Sequence, residues 1–376
     1  MNILILTSSF PRFKGDVWGP WILDYSQELS NEGENVIVLA PHSIKTKKYS
    51  KIDSVVVHRF SYWLPKRQIL AKPPGIMENL KIYKNAKFQI IPYLFFNLLQ
   101  GLKMIKKYQI DIIFCQWVIP SGFIGLFLGK IFNKPVAVSA QGAEFYISKN
   151  SIFGIIISYV IRKIDLLLPV SNNMMSLALN YSKNIKCLKV LPNAVDTNKF
   201  KPLKGVKLNL NGINPKYKKI LTVRRLVVEK KVDLLIKSFK KLLEYDPNIH
   251  LIIGGDGPEK RNLIELTKKL GISKKVKFLG FISHDKLNYL YNLADIYVLT
   301  SEQEGLSLSL LEALATKIPV VSTNIVGNPE VIIHKKTGLL FKPGDIDQLT
   351  YNIRFLLDNP DKAKDIGRNA REFIIN

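Results

Sequence analysis

Short apolar runs alternate with amphipathic stretches along most of the chain. Residues 2–6 form an apolar run, 21–30 carry apolar positions at helical spacing that stop at Gly33, and 36–40 are apolar again. This strand–loop–helix–strand opening predicts a βαβ unit, with the loop 7–19 at the carboxyl end of the first strand, where doubly wound sheets bind ligands. Further strands are predicted at 54–60, 110–115, 135–139 and 166–170, with helical stretches between them. A second series follows, with strands at 220–223, 250–254, 276–279, 296–299 and 319–322 and helices at 233–244, 259–270, 286–293 and 307–315. Such alternation is what parallel α/β sheets produce. Residues 192–219, rich in Asn, Lys, Pro and Gly and poor in periodicity, mark the break between the series. The pattern therefore predicts two Rossmann-like α/β domains, 1–191 and 192–376, each a doubly wound parallel sheet, facing one another across a cleft. No sequence repeat links the halves.

Composition narrows the class. The 376 residues are 47% apolar and 23% charged, which excludes wholesale disorder. The two cysteines, Cys115 and Cys187, are far apart and in no CxxC pattern, so neither a disulfide framework nor a structural zinc site is expected and the compartment reads as reducing. Residues 1–6 lack a basic lead and run into Thr7-Ser8-Ser9, unlike a signal peptide. The longest apolar stretches, 88–99 and 152–161, fall short of the ~20 residues of a spanning helix. A cytoplasmic protein is expected, either free or held at the inner face of the cell membrane.

Charge is less ordinary. Lys and Arg total 55 against 30 Asp and Glu, a net +25. Between Lys45 and Lys107 stand 14 basic residues against Asp53 and Glu78 alone, a local excess of +12. A Lys-rich solvated surface, an anionic membrane partner and a nucleic-acid partner all fit this excess. The aromatic and apolar run 88–96, followed by Lys103, Lys106 and Lys107, favours the membrane, since such neighbours suit an interfacial helix.

The segment 301–313, SEQEGLSLSLLEA, is the most informative for chemistry. It leaves a strand and enters a helix predicted to begin near Leu306. Glu304 then sits in the loop and Glu312 along the helix side, while the backbone N–H groups of Gly305, Leu306 and Ser307 form a helix N-terminus suited to phosphate. Carboxylates accept hydrogen bonds from vicinal hydroxyls. From two carboxylates alone, ordinary helix and cap residues are the favoured reading, and the surrounding sequence shifts it.

The surrounding residues resemble a known family, the retaining glycosyltransferases of the GT-B fold, family 4. Glu304 and Glu312 match its E-x7-E motif, and 319–323 (PVVST), 327–330 (GNPE) and 337–340 (TGLL) follow in family order. Upstream, 191–196 (LPNAVD) with Phe200 and Pro202, 223–226 (VRRL) with Lys230, 254–259 (GGDGPE) and 278–281 (FLGF) match further motifs. The resemblance implies that Arg225 and Lys230 neutralise the departing diphosphate of a nucleoside-diphosphate-sugar. It implies that Glu304 binds donor-sugar hydroxyls, that Glu312 binds the ribose, and that Gly280 and Phe281 line the base pocket. The second domain would thus hold the donor, and the first the acceptor.

The first domain departs from the pattern. Residues 116–122 (QWVIPSG) and 139–144 (SAQGAE) look like the family's HW..PSG and T.HGxD segments, with Gln116 and Gln141 in place of His and Glu144 in place of Asp. Gln141 can hydrogen-bond a sugar hydroxyl but cannot take a proton near neutral pH. Arg224, Lys231 and Ala194 replace usual glycines. In the loop 10–20, Gly15 and Gly19 allow close backbone approach to substrate, and Trp117 offers a stacking face to an acceptor. Asp345-Ile346-Asp347 reads as a helix N-cap and first-turn acid rather than a metal-binding D-x-D. The 255–257 glycines lack the third glycine of a dinucleotide fingerprint. The resemblance implies retaining transfer of a hexose-type sugar to a glycan or lipid-linked acceptor in cell-surface polysaccharide or glycolipid synthesis. It implies no essential metal and no cofactor beyond the sugar nucleotide. A nucleic-acid binder or RNA-modifying transferase, a non-catalytic sugar-nucleotide binder and a sugar-nucleotide epimerase are the rival readings.

Overall fold

The computed structural model describes the chain except residues 14, 17, 45, 207–209 and 211 and the side chain of residue 143. Lys14 and Val17 of the loop 10–20, and Lys45 of the basic segment, therefore lie outside the described residues. The chain divides into two compact units, Met1–Leu191 and Pro192–Asn376.

The first unit holds β1 (Asn2–Leu6), β2 (Asn35–Pro41), β3 (Tyr49–Ile52), β4 (Val55–Phe60), β5 (Ile112–Gln116), β6 (Val136–Ala140) and β7 (Leu166–Pro169). They form one sheet in the order β3-β4-β2-β1-β5-β6-β7. All neighbours are parallel except β3 and β4, which pair antiparallel around a turn with Asp53 at φ 51°. The central strand is buried on both faces, Leu4 lying between Ile37 and Ile113, which explains its unbroken apolar run. β3 has the sequence YSKI and only Ile52 buried, so its half-polar edge pattern carried no strand signal.

The second unit holds β8 (Lys218–Val223), β9 (Ile249–Gly254), β10 (Val276–Gly280), β11 (Ile296–Leu299), β12 (Val320–Thr323) and β13 (Leu339–Phe341). Their order is β10-β9-β8-β11-β12-β13, all parallel. The helix Val232–Tyr245 buries Leu235, Ile236, Phe239 and Leu242 at helical spacing against one sheet face, and Tyr291, Tyr297, Leu310 and Leu314 pack on the other. Each such large side chain contributes about 1.5–3 kcal/mol on burial. The three-residue strand β13 is too short to show periodicity.

Leaving out the antiparallel edge strand β3, both sheets have the strand order of a doubly wound dinucleotide-type fold, in which the winding reverses beside the first strand. That switch point lies between β1 and β5 in the first unit and between β8 and β11 in the second. Among the described residues no helix is long and apolar enough to cross a membrane.

One glycine governs the second switch point. Gly255 has φ 116°, and a Cβ there would lie 1.8 Å from the carbonyl oxygen of Arg224. Gly255→Ala is expected to cost about 1–3 kcal/mol or more from overpacking alone, read as a lowered urea midpoint, because the opposing atom is backbone and cannot swing aside.

Candidate active site

At the carboxyl end of β8, Arg224 turns its side chain beneath the loop that follows β11. Nη1 donates to Ser301 Oγ at 2.7 Å, and Nη2 to Glu304 Oε1 at 3.3 Å. The same Oε1 receives Ser301 Oγ at 2.7 Å and lies 2.8 Å from Lys230 Nζ. Lys230 belongs to the short helical turn Val228–Lys230, and its ammonium also donates to the Gln303 carbonyl at 3.1 Å. The backbone locks these loops together, with Glu302 N–H on the Glu229 carbonyl and Thr300 Oγ1 on the Lys230 carbonyl. Burial pushes the Glu304 carboxyl up, but Lys230 and Arg224 outweigh it and hold the group below the usual carboxylate range. The Lys230 ammonium is pulled down by burial, opposed by Glu304.

A second carboxylate sits one helix further on. Glu312, buried on the helix Leu308–Ala315, accepts from Tyr291 Oη at 2.8 Å and lies 3.1 Å from His284 Nε2. Burial, then the Glu312 charge, raises the Tyr291 phenol. Tyr297 lies beside it: its ring packs 5.5 Å from Tyr291, and its hydroxyl donates to Ser309 Oγ at 2.8 Å.

The helix begins at Leu308, two residues later than its sequence suggests, with Ser307 as its N-cap. Gly305 and Leu306 thus precede the helix: Leu306 is core, and its carbonyl accepts from Asn193 Nδ2 at 2.9 Å. Gly327 packs so closely on Gly305 that a Cβ there would meet its carbonyl at 1.9 Å. Gly280 ends β10 at φ 67°, and the ring of Phe281 beside it is exposed. Asp345 caps the helix Ile346–Asp358 by accepting from Gln348 N at 2.8 Å, and Asp347 pairs with Lys241.

Of the two adjacent arginines, Arg225 is exposed and Arg224 is buried in the carboxylate cluster. Sequence reasoning singled out Arg225 and took Arg224 only as a stiffening replacement for glycine. It also missed Ser301, Tyr291 and His284. The one available signal was an Arg at a position where a side chain leaving a central strand must point into the switch point. Lys231 adopts φ 46° ahead of the helix Val232–Tyr245 and pairs with Glu302 at 3.2 Å, which explains the usual glycine there.

In the first unit, the switch point gathers Gln116, Trp117 and Gln141. Gln141 Nε2 donates to Ser139 Oγ at 2.9 Å and reaches toward Gln116 Oε1 at 3.5 Å, so the two glutamines that stand for His meet. Trp117, at φ 70°, packs edge-on against Trp21 with centroids 6.2 Å apart. Glu144 is buried, and its carboxylate accepts from the backbone N–H groups of Gln141 at 3.2 Å and Gly142 at 3.0 Å, with Val118 at 3.4 Å. Burial raises its pKa against those bonds. Gly15 is exposed at φ 86°, and Gly19 caps the helix Pro20–Asn31 in left-handed geometry with Ser9 pressed against it. At the carboxyl ends of β2 and β4 a pocket opens between Arg12, His42, Tyr62, Gln68 and Lys72. Asp16 holds Arg12 there through a fork of 2.7 and 2.9 Å bonds.

The chain is similar to known proteins over most of its length. Residues 207–373 match the family described as glycosyl transferases group 1, and residues 15–172 match the glycosyl transferase 4-like family. The N-acetyl-alpha-D-glucosaminyl L-malate synthase of Bacillus anthracis is 24% identical over 322 residues, 85% of this chain and 84% of its own length. Sucrose-phosphate synthase from Thermosynechococcus elongatus superposes with a TM-score of 0.83 at 17% identity, covering 100% of this chain and 94% of that chain. Anabaena HepE in complex with UDP-glucose gives 0.74 at 18% identity, with 100% and 94% covered. The fold is GT-B. With the two family matches together spanning most of its length, the chain belongs to the group 1, family 4-type glycosyltransferases.

The depressed Glu304 pKa has a thermodynamic consequence. An ordinary value of 4.5 applies to the unfolded chain, so Glu304 contributes stability above that pH and loses it as pH falls through the lower folded value. Glu304→Gln is expected to be less stable than the wild type near neutral pH, with the difference in melting temperature shrinking once pH drops below 4.5. A constant difference across that range would contradict the ion cluster.

Proposed function

We propose that this glycosyltransferase moves a sugar, with retention, from a nucleoside-diphosphate-sugar onto a glycan or lipid-linked acceptor at an anionic membrane surface. The observation that carries the reading is the convergence of Lys230, Arg224 and Glu304 at the second switch point, with Glu312 on the adjoining helix. The likeness to HepE, solved in complex with UDP-glucose, supports a donor of this class.

In this reading Arg225 and Lys230 meet the diphosphate, whose negative charge grows as the sugar–phosphate bond breaks. Two cations against that charge leave no need for a metal. Glu304, kept ionised, accepts from donor-sugar hydroxyls, and Glu312 from the ribose, with Tyr291 and His284 holding its rotamer. Gly305, Leu306 and Ser307 lead into the donor-facing helix, and Gly280 and Phe281 take the base. The anomeric carbon exchanges its phosphate oxygen for the acceptor oxygen on the same face, and the acceptor proton passes to the departing phosphate. Gln141, which cannot take that proton, orients a hydroxyl instead. Trp117, Gly15 and Gly19 face the acceptor, while Glu144 serves by holding the backbone of the Gln141 loop.

Membrane attachment rests on the surface of the first unit. On the helix Ile90–Tyr108, Ile91, Phe95 and Lys106 recur at helical spacing and all three are exposed. The neighbouring helices add exposed Phe127 and Ile131, then Ile152, Ile155 and Tyr159. Apolar side chains beside basic ones suit an anionic bilayer surface.

Thermal stability against UDP-, GDP-, ADP- and dTDP-sugars tests the donor site. One nucleotide class is expected to raise the melting temperature of the wild type and to fail with Glu312→Ala, the gain being ~2.7 kcal/mol at a hundredfold excess over Kd. The product's anomeric configuration reads out retention. A wild type that responds to none of the four at saturating concentration overturns the reading in favour of nucleic-acid binding, and donor binding without turnover favours the non-catalytic one.

Co-sedimentation with vesicles tests the surface. Binding is expected to rise with phosphatidylglycerol content and to fall in Ile91→Ser/Phe95→Ser; a response to neither discounts the membrane.

A further inference from the structure

Arg224 stands where the resemblance places glycine, yet its φ is not in the left-handed range, so backbone conformation does not dictate the usual glycine. What the substitution adds is a side chain. That side chain is 3% exposed, and it contacts Ser301, Glu304 and, at 3.4 Å, the Lys230 carbonyl. Its Nε–H is buried without a hydrogen-bond partner. A buried guanidinium with an unmade bond is costly to retain, so stability alone does not account for it.

Lys230 faces competing demands. It reaches Glu304 Oε1 at 2.8 Å, and in the proposed reaction the same ammonium must meet the donor diphosphate. A flexible point charge drawn toward phosphate leaves the carboxylate behind. Arg224 is enclosed beneath the loop together with Glu304.

We infer that Arg224 is a positioning residue: it clamps Glu304 through Oε1 in the orientation that reads the donor sugar, so that this chain distinguishes a sugar nucleotide from the bare nucleotide through a side chain at the position of the usual glycine. The inference rests on the proposed donor site. A carboxylate fixed before binding loses less conformational freedom when the sugar arrives, and Arg224 holds it both directly, at 3.3 Å, and through the Ser301 hydroxyl. Among the groups that face Glu304 are Arg224 beyond β8, Lys230 in the turn 228–230 and Ser301 in its own loop; Tyr297 on β11 feels its charge, Arg225 acts on Lys230, and the Lys231–Glu302 pair lies alongside. Taking away the Arg224 charge removes one of the cations that hold the carboxylate ionised, so Glu304 protonates at higher pH.

The test takes whichever of UDP-glucose, GDP-mannose, ADP-glucose and dTDP-glucose the wild type binds and compares its Kd with that of the bare nucleoside diphosphate. Arg224→Ala is expected to weaken sugar-nucleotide binding by about tenfold or more, the scale of a hydrogen bond to a charged group, while bare-nucleotide binding stays within about twofold. The acid limb of donor turnover, read as nucleotide release without added acceptor, should move to higher pH, and Arg224→Lys should return the limb while restoring only part of the sugar affinity. Equal losses for nucleotide and sugar nucleotide, or an unmoved acid limb with unchanged Kd values, overturn the positioning role. A wild type that binds none of the four donors overturns the proposed function itself. Circular dichroism checks folding; should Arg224→Ala unfold, Arg224→Lys decides, a sugar-selective loss supporting the clamp and any other pattern overturning it.

Discussion

A carboxylate taken largely out of water must be met by positive charge and hydrogen bonds, or it costs more than the fold can supply. Glu304 is in that position, and the second unit is arranged around meeting it. Its partners come from three separate segments: the residue after β8, the turn before the next helix, and the loop after β11. They converge because β8 and β11 are neighbours, and the parallel winding directs both carboxyl ends to one edge of the sheet. The tight approach of Gly255 to the Arg224 backbone and of Gly327 to Gly305 then leaves the loops little room to separate. Charge, topology and glycine placement thus support one another.

The first unit solves a different problem with the same topology. The carboxyl ends of β5 and β6 bring together a pair of neutral amides, Gln116 and Gln141, backed by a buried Glu144 that holds the loop backbone. Amides donate and accept without changing charge, so this edge is suited to orienting hydroxyls, not to moving protons. The Arg12–Asp16 fork beside the pocket at β2 and β4 adds fixed polarity nearby. One unit thus gathers an ion cluster at its strand ends and the other a pair of amides.

Part of the positive charge of the first unit lies beside exposed apolar side chains. On the helix Ile90–Tyr108 the core takes Tyr93, Asn97, Gly101, Met104 and Ile105, leaving Ile91 and Phe95 outward along with Lys103, Lys106 and Lys107. The helix therefore has two apolar aspects, and the core covers only one of them. From the sequence, either aspect might equally have been the buried one, because a helix rich in apolar residues on several sides has no unique inner face.

Local pattern alone specified a great deal here. Most strands fall within two residues of where apolar runs place them, since a strand buried on both faces needs an uninterrupted run. The ordered motifs identified the family before any coordinates. The half-polar edge strand β3 and the three-residue β13 escaped because their stability comes from neighbours, not from their own residues. Likewise the two units show no repeat in sequence yet share a strand order, because topology follows from chirality and layer packing, which many sequences satisfy. Which of two adjacent arginines is buried, and that two glutamines 25 positions apart meet, only the tertiary structure decided. Side-chain direction at the end of a strand is set by the pleat and by the elements beside it, and those are known only once the sheet is assembled.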